Sequence, residues 1–181
     1  MRALATGRYT IEEIDAITGP ALGRPKSATF RTMDIAGLDV FEHVLRNLQE
    51  RMPAETKRSG FILPHLVSDL VKRGATGEKA GQGFYKRVGK DILTLDPKTL
   101  EYRPKEPARI PSLDAVKGVD DVNERARTLF HAADKSGELL RDTLAPMLVY
   151  TADVTPAIAN SIDDVDRAMQ WGFGWELGPF E

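Results

Sequence analysis

The end of the chain repeats the pattern of its beginning, and this repeat limits the possible architectures more than any other feature. Residues 161–181 align with residues 10–30 when they are shifted by 151 positions (161 minus 10). Each copy opens with a hydroxyl residue followed three positions later by an acid, a pattern that caps helices. Because internal repeats decide architecture, the sequence predicts a duplicated unit. The aligned pairs are Thr10 with Ser161, Ile11 with Ile162, Ile14 with Val165, Asp15 with Asp166 and Gly23 with Gly174.

The second copy is shorter than the first, which continues to Asp39. Two copies are too few for a solenoid, so we expect duplication within one architecture. The second copy ends at Glu181 in the middle of the repeated phrase. Residues 1–6 have the pattern of the last turns of a helix that stops at Gly7. We therefore expect the chain to be a piece of a longer protein.

The composition is that of an ordinary globular protein. Hydrophobic residues make up 41% and charged residues 29% of the 181 positions, which is enough for a sizeable core. A net charge of −2 gives no general attraction to nucleic acid or to anionic membranes. The absence of cysteine excludes disulfides and thiolate metal sites. The N-terminal residues lack the apolar core of a secretory signal, and no apolar run has membrane-spanning length. We expect a cytoplasmic protein with no membrane partner.

Most of the chain has helical periodicity, with apolar residues three or four positions apart. The predicted helices cover residues 11–18, 29–36, 40–51, 63–73, 122–133 and 138–152. Asp39 is expected to cap the third helix, and Pro146 to kink the last one. Residues 57–60 have the composition of a solvated turn. The apolar stripe expected to be buried in the third helix is Val40, Val44, Leu45 and Leu48.

A glycine-rich segment, residues 74–83, precedes a stretch of β-type composition. Short runs at residues 84–88, 91–95 and 100–103 are separated by turn residues, which predicts a small β-ribbon at about residues 83–103. Prolines at 104, 107 and 111 then indicate an extended linker. We predict a mainly α fold in three parts. These are a first helical repeat with its ribbon at residues 1–103, a proline-rich linker at 104–117, and a second, truncated repeat at 118–181.

Residues that could carry catalysis have simpler structural explanations. The glycines at 77, 81 and 83 lack phosphate-loop spacing and precede a strand, so a tight connection is favoured over a nucleotide site. His43, His65 and His131 lie in separate predicted helices without metal-binding spacing, so a packed or surface role is favoured over a ligand or a general base. Acid pairs at 12–13, 120–121 and 163–164 stand at helix starts, where they oppose the helix dipole. We predict no catalytic residue and no metal site.

Two groups of residues are candidates for binding a ligand or a partner. Arg24 and Lys26 are the best basic candidates for an anionic ligand, and a solvated loop is the alternative. A dense group of aromatic residues near the end of the chain is expected to pack in the core, with an exposed contact surface as the alternative. These aromatic residues are Trp171, Phe173, Trp175 and Phe180.

Three phrases of the sequence carry a resemblance to a known family. They are GRPKSATFRTMDIAGLD at 23–39, GEKAGQGFYKR at 77–87 and GFGWELGPFE at 172–181. Together they resemble the C-terminal helical region of 3-hydroxyacyl-CoA dehydrogenases, in particular the long bacterial or multifunctional type in which this domain occurs twice in tandem. The resemblance covers nearly the whole chain. It implies a duplicated helical domain similar to the C-terminal domain of 6-phosphogluconate dehydrogenase.

The resemblance also implies a function. Members of the family oxidise a 3-hydroxyacyl-CoA to the 3-oxoacyl-CoA in fatty-acid β-oxidation, with NAD held by a Rossmann domain that precedes the helical region. This chain lacks the motifs of that domain and its catalytic His–Glu pair, so we expect it to bind no NAD and to be inactive alone. The implied partners are the acyl-CoA substrate and the missing Rossmann domain, and a homo-oligomer is possible.

The same resemblance implies a substrate-side loop. The first copy has SATF at residues 27–30 where the family usually has a GPFE-like phrase. A non-catalytic helical module that binds a protein partner is the alternative function, supported by the aromatic C-terminus. Binding to nucleic acid has no support, because the sequence has no basic stripe and no aromatic stacking platform. The residues that match the family's cleft-facing loop, and are implied to contact substrate, are Arg24, Pro25, Lys26, Ser27 and Phe30.

Overall fold

The computed structural model describes residues 1–51 and 62–181, so the turn predicted at residues 57–60 lies outside the described residues. As predicted, the fold is mainly α-helical with a small antiparallel sheet. The described residues divide into two compact units. The first comprises residues 1–11 and 29–106, and the second comprises residues 12–28 and 107–181. Residues 12–28 of the first repeat therefore group with the second half of the chain.

The helices of the first unit begin and end close to their predicted positions. They are α1 (Arg2–Ala5), α3 (Phe30–Ala36), α4 (Leu38–Arg51) and α5 (His65–Lys72). Helix α2 (Ile11–Thr18) contributes only its first residue to this unit. A glycine follows α1, α3 and α5 within two residues. Because glycine after the last turn favours helix termination, these ends could be predicted from the sequence.

The buried face of α4 differs from the predicted one. Leu45 is buried as predicted, but Val40 and Val44 are each 48% exposed. The helix begins at Leu38, two residues before the predicted start. Leu38 is fully buried, and its backbone N–H donates to the carbonyl of Thr76 at 2.9 Å. This anchor turns the helix so that Leu38 and Leu45, which are seven positions apart, share its buried side.

The predicted ribbon is a three-stranded antiparallel sheet in the order β1 (Tyr85–Val88), β2 (Asp91–Leu95) and β3 (Tyr102–Pro104). A sheet this small is not stable in isolation and needs a hydrophobic support. Phe84, directly before β1, provides one. Its ring meets that of Phe30 in α3 edge to face, with the ring centroids 4.6 Å apart, and both side chains are fully buried.

One buried carboxylate joins the sheet to α3. Asp34 is 1% exposed and accepts hydrogen bonds from the backbone N–H groups of Phe84 and Tyr85, each at 2.8 Å. A Cβ at Gly83 would overlap this carboxylate, so glycine is required for the close approach. The Tyr102 hydroxyl donates to the carbonyl of Gly83 at 2.7 Å. Burial, together with the charge of Asp34, raises the pKa of Tyr102 to about 12.

The second unit contains the rest of α2 and the later helices, α6 (Pro111–Ala115), α7 (Val122–His131), α8 (Lys135–Ile158) and α9 (Ile162–Phe173). Three of them begin with a side chain that accepts a hydrogen bond from a first-turn backbone N–H. Asp121 caps α7, Asp134 caps α8 and Ser161 caps α9. The predicted cap at the start of the second repeat is therefore confirmed.

Helix α6 lies within the segment that was expected to be an extended linker. Pro111 is its first residue, where the fixed φ of proline suits the first helical turn. Ile110 and Val116 on either side of the helix are buried. The stretch without regular structure between β3 and α6 is therefore only residues 105–110.

Helix α8 is longer than predicted, with 24 residues that include Pro146 and Pro156. Proline within a helix removes a backbone hydrogen bond. Nearby hydroxyl groups donate to helix carbonyls, as Thr155 does to Thr151 at 2.7 Å. In the part of the chain that the structure describes, no helix combines the length and the apolar character needed to cross a bilayer.

Candidate functional site

The predicted substrate-side loop follows a short 3₁₀ turn, Pro20–Leu22, in the second unit. Gly23 ends that turn in the left-handed conformation, with φ 65° and ψ 30°. A Cβ there would lie 2.5 Å from Cγ2 of Val122 and 2.9 Å from Cβ of Glu176. Both the backbone conformation and the lack of space therefore require glycine. The fixed conformation of Gly23 therefore sets the direction in which the backbone continues into Arg24.

The aligned glycine of the second repeat has the same conformation. Gly174 ends α9 with φ 64° and ψ 32°, so the two copies share a helix, a loop and a left-handed glycine. The copies also contact each other within the second unit. The backbone N–H of Glu176 donates to the carbonyl of Gly23 at 2.7 Å. The repeat predicted from the sequence is thus visible in the backbone.

The contacts between the two loops are reciprocal. The side chain of Glu176 lies against Gly23, and a Cβ on Gly174 would lie 3.7 Å from Cγ of Pro25. Pro25 and Glu176 are aligned residues of the two copies, as are the two glycines. Reciprocal contacts of this kind are those of a local two-fold arrangement.

Arg24 and Trp175 are also aligned, and they contact each other directly. The guanidinium carbon of Arg24 lies 4.0 Å from the centroid of the Trp175 ring, which is the geometry of a cation–π interaction. Burial lowers the pKa of Arg24, although an arginine side chain stays protonated at neutral pH. Among the residues that the structure describes, no carboxylate or carbonyl binds the guanidinium.

The other four predicted residues have different surroundings. Pro25 and Lys26 are exposed, and Ser27 is partly buried. The backbone N–H of Ala28 donates to the carbonyl of Pro25 at 2.9 Å, which closes a turn over these residues. Phe30 is 0% exposed and belongs to the core of the first unit. Its ring therefore offers no surface to a ligand. The charged groups of the loop that remain as candidates for ligand contact are Arg24 and Lys26.

Sequence reasoning did not assign a role to the acids that hold the second loop. Asp166, which is buried, accepts a hydrogen bond from the backbone N–H of Phe180 at 2.8 Å. Glu181 accepts from the N–H of Gly178 at 2.8 Å and from the amide of Gln170 at 2.6 Å. The GPFE phrase is thus folded back onto α9. The pairing of Asp166 with Asp15 in the repeat was the available signal.

The glycine-rich segment at residues 74–83 is a tight connection, as predicted. A short 3₁₀ turn, Glu78–Ala80, lies within it, and Gly81 ends that turn in the left-handed conformation. The segment lies against Asp34, because a Cβ at Gly77 would overlap its backbone and a Cβ at Gly83 would overlap its carboxylate.

The remaining candidates, the histidines and the acid pairs, are spread over several helices or helix starts. His43, His65 and His131 lie in α4, α5 and α7. Within residues 1–51 and 62–181, no group of three or more His, Asp or Glu side chains could hold a metal ion. Of the predicted acid pairs, Glu13 forms an ion pair with Lys135 at 2.7 Å within the second unit.

The aromatic residues at the end of the chain divide into two sets. Trp175 and Phe180 are partly buried. Trp171 is 82% and Phe173 is 63% exposed, so the expected core position is wrong for these two. Helical periodicity alone did not reveal that the end of α9 turns these side chains towards solvent.

Comparison with known proteins confirms the family resemblance. Residues 1–87 match the family described as 3-hydroxyacyl-CoA dehydrogenase, C-terminal domain. The chain is 44% identical to a probable 3-hydroxyacyl-CoA dehydrogenase from Bacillus subtilis over 181 residues, which are 100% of this chain and 23% of that protein. A probable 3-hydroxyacyl-CoA dehydrogenase from Deinococcus radiodurans is 44% identical over 79 residues, which are 44% of this chain and 22% of that protein.

A more distant relative also matches most of the chain. A putative fatty acid oxidation complex trifunctional enzyme from Rickettsia felis is 23% identical over 175 residues, which cover 93% of this chain and 22% of the relative. The chain therefore spans less than a quarter of the length of each of these three relatives. No solved structure matches it.

Proposed function

We propose, since residues 1–87 match the family of 3-hydroxyacyl-CoA dehydrogenase C-terminal domains, that this chain is the helical, substrate-side part of an NAD-dependent 3-hydroxyacyl-CoA dehydrogenase of fatty-acid β-oxidation. In this role the loop of Arg24, Pro25, Lys26 and Ser27 contacts the acyl-CoA. The helices pack against a nucleotide-binding domain and against a second copy of the enzyme. The full-length enzyme converts a 3-hydroxyacyl-CoA to the 3-oxoacyl-CoA.

One observation carries the substrate-side role. Arg24 is a half-buried cation whose guanidinium has no anionic partner among the described residues, and Lys26 is exposed in the same loop. A cation that has lost part of its hydration gains most from an anionic partner. Coenzyme A is such an anion, since it carries phosphate groups. The identity with the Bacillus protein along the whole chain supports the same assignment.

The surroundings of the glycine-rich segment argue against an NAD site there. A dinucleotide requires N–H groups directed at its phosphates, whereas the glycine-rich segment lies against the Asp34 carboxylate, which would repel them. NAD accepts a hydride when it is bound, and we propose that a separate Rossmann domain holds it. The chain alone then orients substrate without supplying the group that accepts the hydride, and is inactive.

Two measurements test this proposal. The purified chain is given a 3-hydroxyacyl-CoA and NAD, and NADH is followed by its absorbance. We expect no NADH above the buffer control, and sustained NADH formation would contradict the assignment of roles. Calorimetric titration with coenzyme A then tests the substrate side. We expect binding that is weakened by Arg24→Ala and unchanged by Arg127→Ala, which alters an exposed arginine of α7. No binding by the folded wild-type chain would refute the substrate-side role.

A non-catalytic interaction module is the second candidate function. The exposure of Trp171 and Phe173 favours it, since large aromatic side chains in solvent are characteristic of binding surfaces. The two functions differ in their dependence on these residues. Coenzyme A binding that survives Trp171→Ser and Phe173→Ser supports the enzyme part. A folded chain that binds no coenzyme A leaves the module as the better explanation.

A further inference from the structure

The stack between Arg24 and Trp175 leaves the hydrogen-bonding edge of the arginine open. A guanidinium is planar and carries five N–H donors in its plane. Stacking on the Trp175 ring, 4.0 Å away, uses one face of that plane and none of the donors. Within the described ranges, no acceptor from the protein takes any of them. A fork of donors is therefore held in place without a protein acceptor among the described residues.

The second repeat fixes this arrangement from both sides of Arg24. Gly23, directly before it, has a left-handed backbone and accepts a hydrogen bond from the N–H of Glu176 at 2.7 Å. Pro25, directly after it, lies against Gly174. Because the backbone and the side-chain plane are both restrained, a ligand pays little entropy for ordering them.

The charges of the loop select the kind of anion. Arg24 and Lys26 supply two positive charges, and Glu176 supplies one negative charge against Gly23. A planar guanidinium binds phosphate oxygens in a bidentate manner. A phosphate group with two negative charges is attracted to two cations more strongly than a carboxylate is. This stronger attraction offsets the repulsion from Glu176 more fully.

We propose that Arg24 and Trp175 form a receptor for a phosphate group, in which Trp175 is a positioning residue supplied by the second repeat. The inference rests on the proposed function only for the carrier of that phosphate, which would be the coenzyme A part of the substrate. Arg24 makes the contact with the anion. Trp175 acts through Arg24 by holding the guanidinium plane.

Calorimetry on the 181-residue chain tests the receptor with inorganic pyrophosphate, coenzyme A and pantetheine, which lacks phosphate. We expect saturable binding of the first two, weaker at high salt, and none of pantetheine. Arg24→Ala and Trp175→Leu should each weaken binding by about tenfold to a hundredfold, the loss typical of a charge-assisted hydrogen bond. Trp175→Phe, which keeps a ring, should restore most of it. Arg127→Ala is the matched control and should bind as the wild type does.

A separate variant distinguishes a receptor from a structural contact. Glu176→Gln removes the negative charge beside the loop, so pyrophosphate should bind more tightly by a factor of about two to five. A purely structural stack would show no such gain. In the Trp171→Phe background, Trp175 is the remaining tryptophan, and its fluorescence should change on pyrophosphate binding. Thermal unfolding of each variant confirms that it is folded.

The outcomes separate this inference from the proposed function. Binding of pyrophosphate with no binding of coenzyme A supports the receptor and removes the substrate-side role. Binding of coenzyme A that is unchanged in folded Trp175→Leu supports the substrate-side role and overturns the receptor. No pyrophosphate binding by the wild-type chain, with a lower unfolding temperature in Arg24→Ala, reduces the stack to a structural contact and also overturns the receptor.

Discussion

Replacing Asp34 with alanine should strongly destabilise the first unit. The carboxylate is 1% exposed and is the acceptor for two backbone N–H groups, those of Phe84 and Tyr85, each at 2.8 Å. Leaving a buried N–H without an acceptor costs about 1–3 kcal/mol, so two such groups cost about 2–6 kcal/mol. The substitution also removes the cost of burying a charge, which places the expected loss in the lower half of that range, at about 3 kcal/mol.

A loss of this size is a large part of the stability of an ordinary domain, about 5–15 kcal/mol. Urea unfolding followed by far-ultraviolet circular dichroism measures it. Hydrogen exchange locates it, because the amides of Phe84 and Tyr85 should lose protection before those of β2. Asp34→Asn keeps one acceptor oxygen and should fall between alanine and wild type. Asp69→Ala is the control, since among the described residues its carboxylate forms one exposed ion pair, with Lys72 at 3.8 Å. We expect this variant to lose less than about 0.5 kcal/mol of unfolding free energy.

Two results would refute the reasoning about Asp34. One is an Asp34→Ala variant that is destabilised by no more than the Asp69→Ala control. The other is unchanged protection of the Phe84 and Tyr85 amides in a destabilised variant, which would mean that the loss arises elsewhere.

Three other substitutions or titrations follow from the geometry. Asp166→Ala removes the acceptor of the Phe180 N–H and should cost about 1–3 kcal/mol, with faster proteolysis of the last residues as the assay. Gly23→Ala forces a side chain into a left-handed backbone and towards Val122, so the unfolding free energy should fall by at least about 1 kcal/mol, and an unchanged unfolding midpoint would contradict the geometry. The phenol of Tyr102, whose pKa is raised to about 12, should titrate in absorbance above its usual value of about 10. The stability that the protonated phenol contributes is complete below that usual pKa and is lost as the pH rises towards 12. The unfolding midpoint should therefore fall over this pH interval. The midpoint of a Tyr102→Phe variant should fall less over the same interval.

Local patterns predicted most of the helices because their signals lie within a few residues of each other. The cap at Ser161 and the glycine after α9 are examples, and both stand where the repeat placed them. The strands at 85–88 and 91–95 were found for the same reason, since a turn separates two short β-type runs. The resemblance to the dehydrogenase family was also recognisable from contiguous phrases and is confirmed.

The misplaced residues depend on contacts between distant positions. Phe30 was expected at a ligand, but its ring is buried on Phe84, and no pattern near Phe30 announces that partner. Val40 and Val44 were expected inside α4, but the rotation of the helix is set by Leu38, which is anchored on Thr76. Apolar spacing shows that a helix has a stripe and does not show which neighbour the stripe meets.

The candidate site could be predicted only in part. Arg24 and Lys26 were selected from charge and from the loop phrase. Trp175 was not connected to Arg24, because the two residues are 151 positions apart and their contact depends on how the two copies of the repeat meet. The alignment of Arg24 with Trp175 was visible in the sequence, but alignment does not by itself predict contact.

The reciprocal contact between the two loops gives duplication a chemical advantage over assembly from identical subunits. At the axis of a symmetric homodimer, each side chain faces its own twin, so an arginine there would oppose another arginine and the like charges would repel. Fusing both copies into one gene lets the facing positions mutate independently. Here one copy has a cation and the other has an aromatic ring at the matching position. The chain has thereby gained a heterotypic pair at a position where symmetry would have permitted only self-pairing.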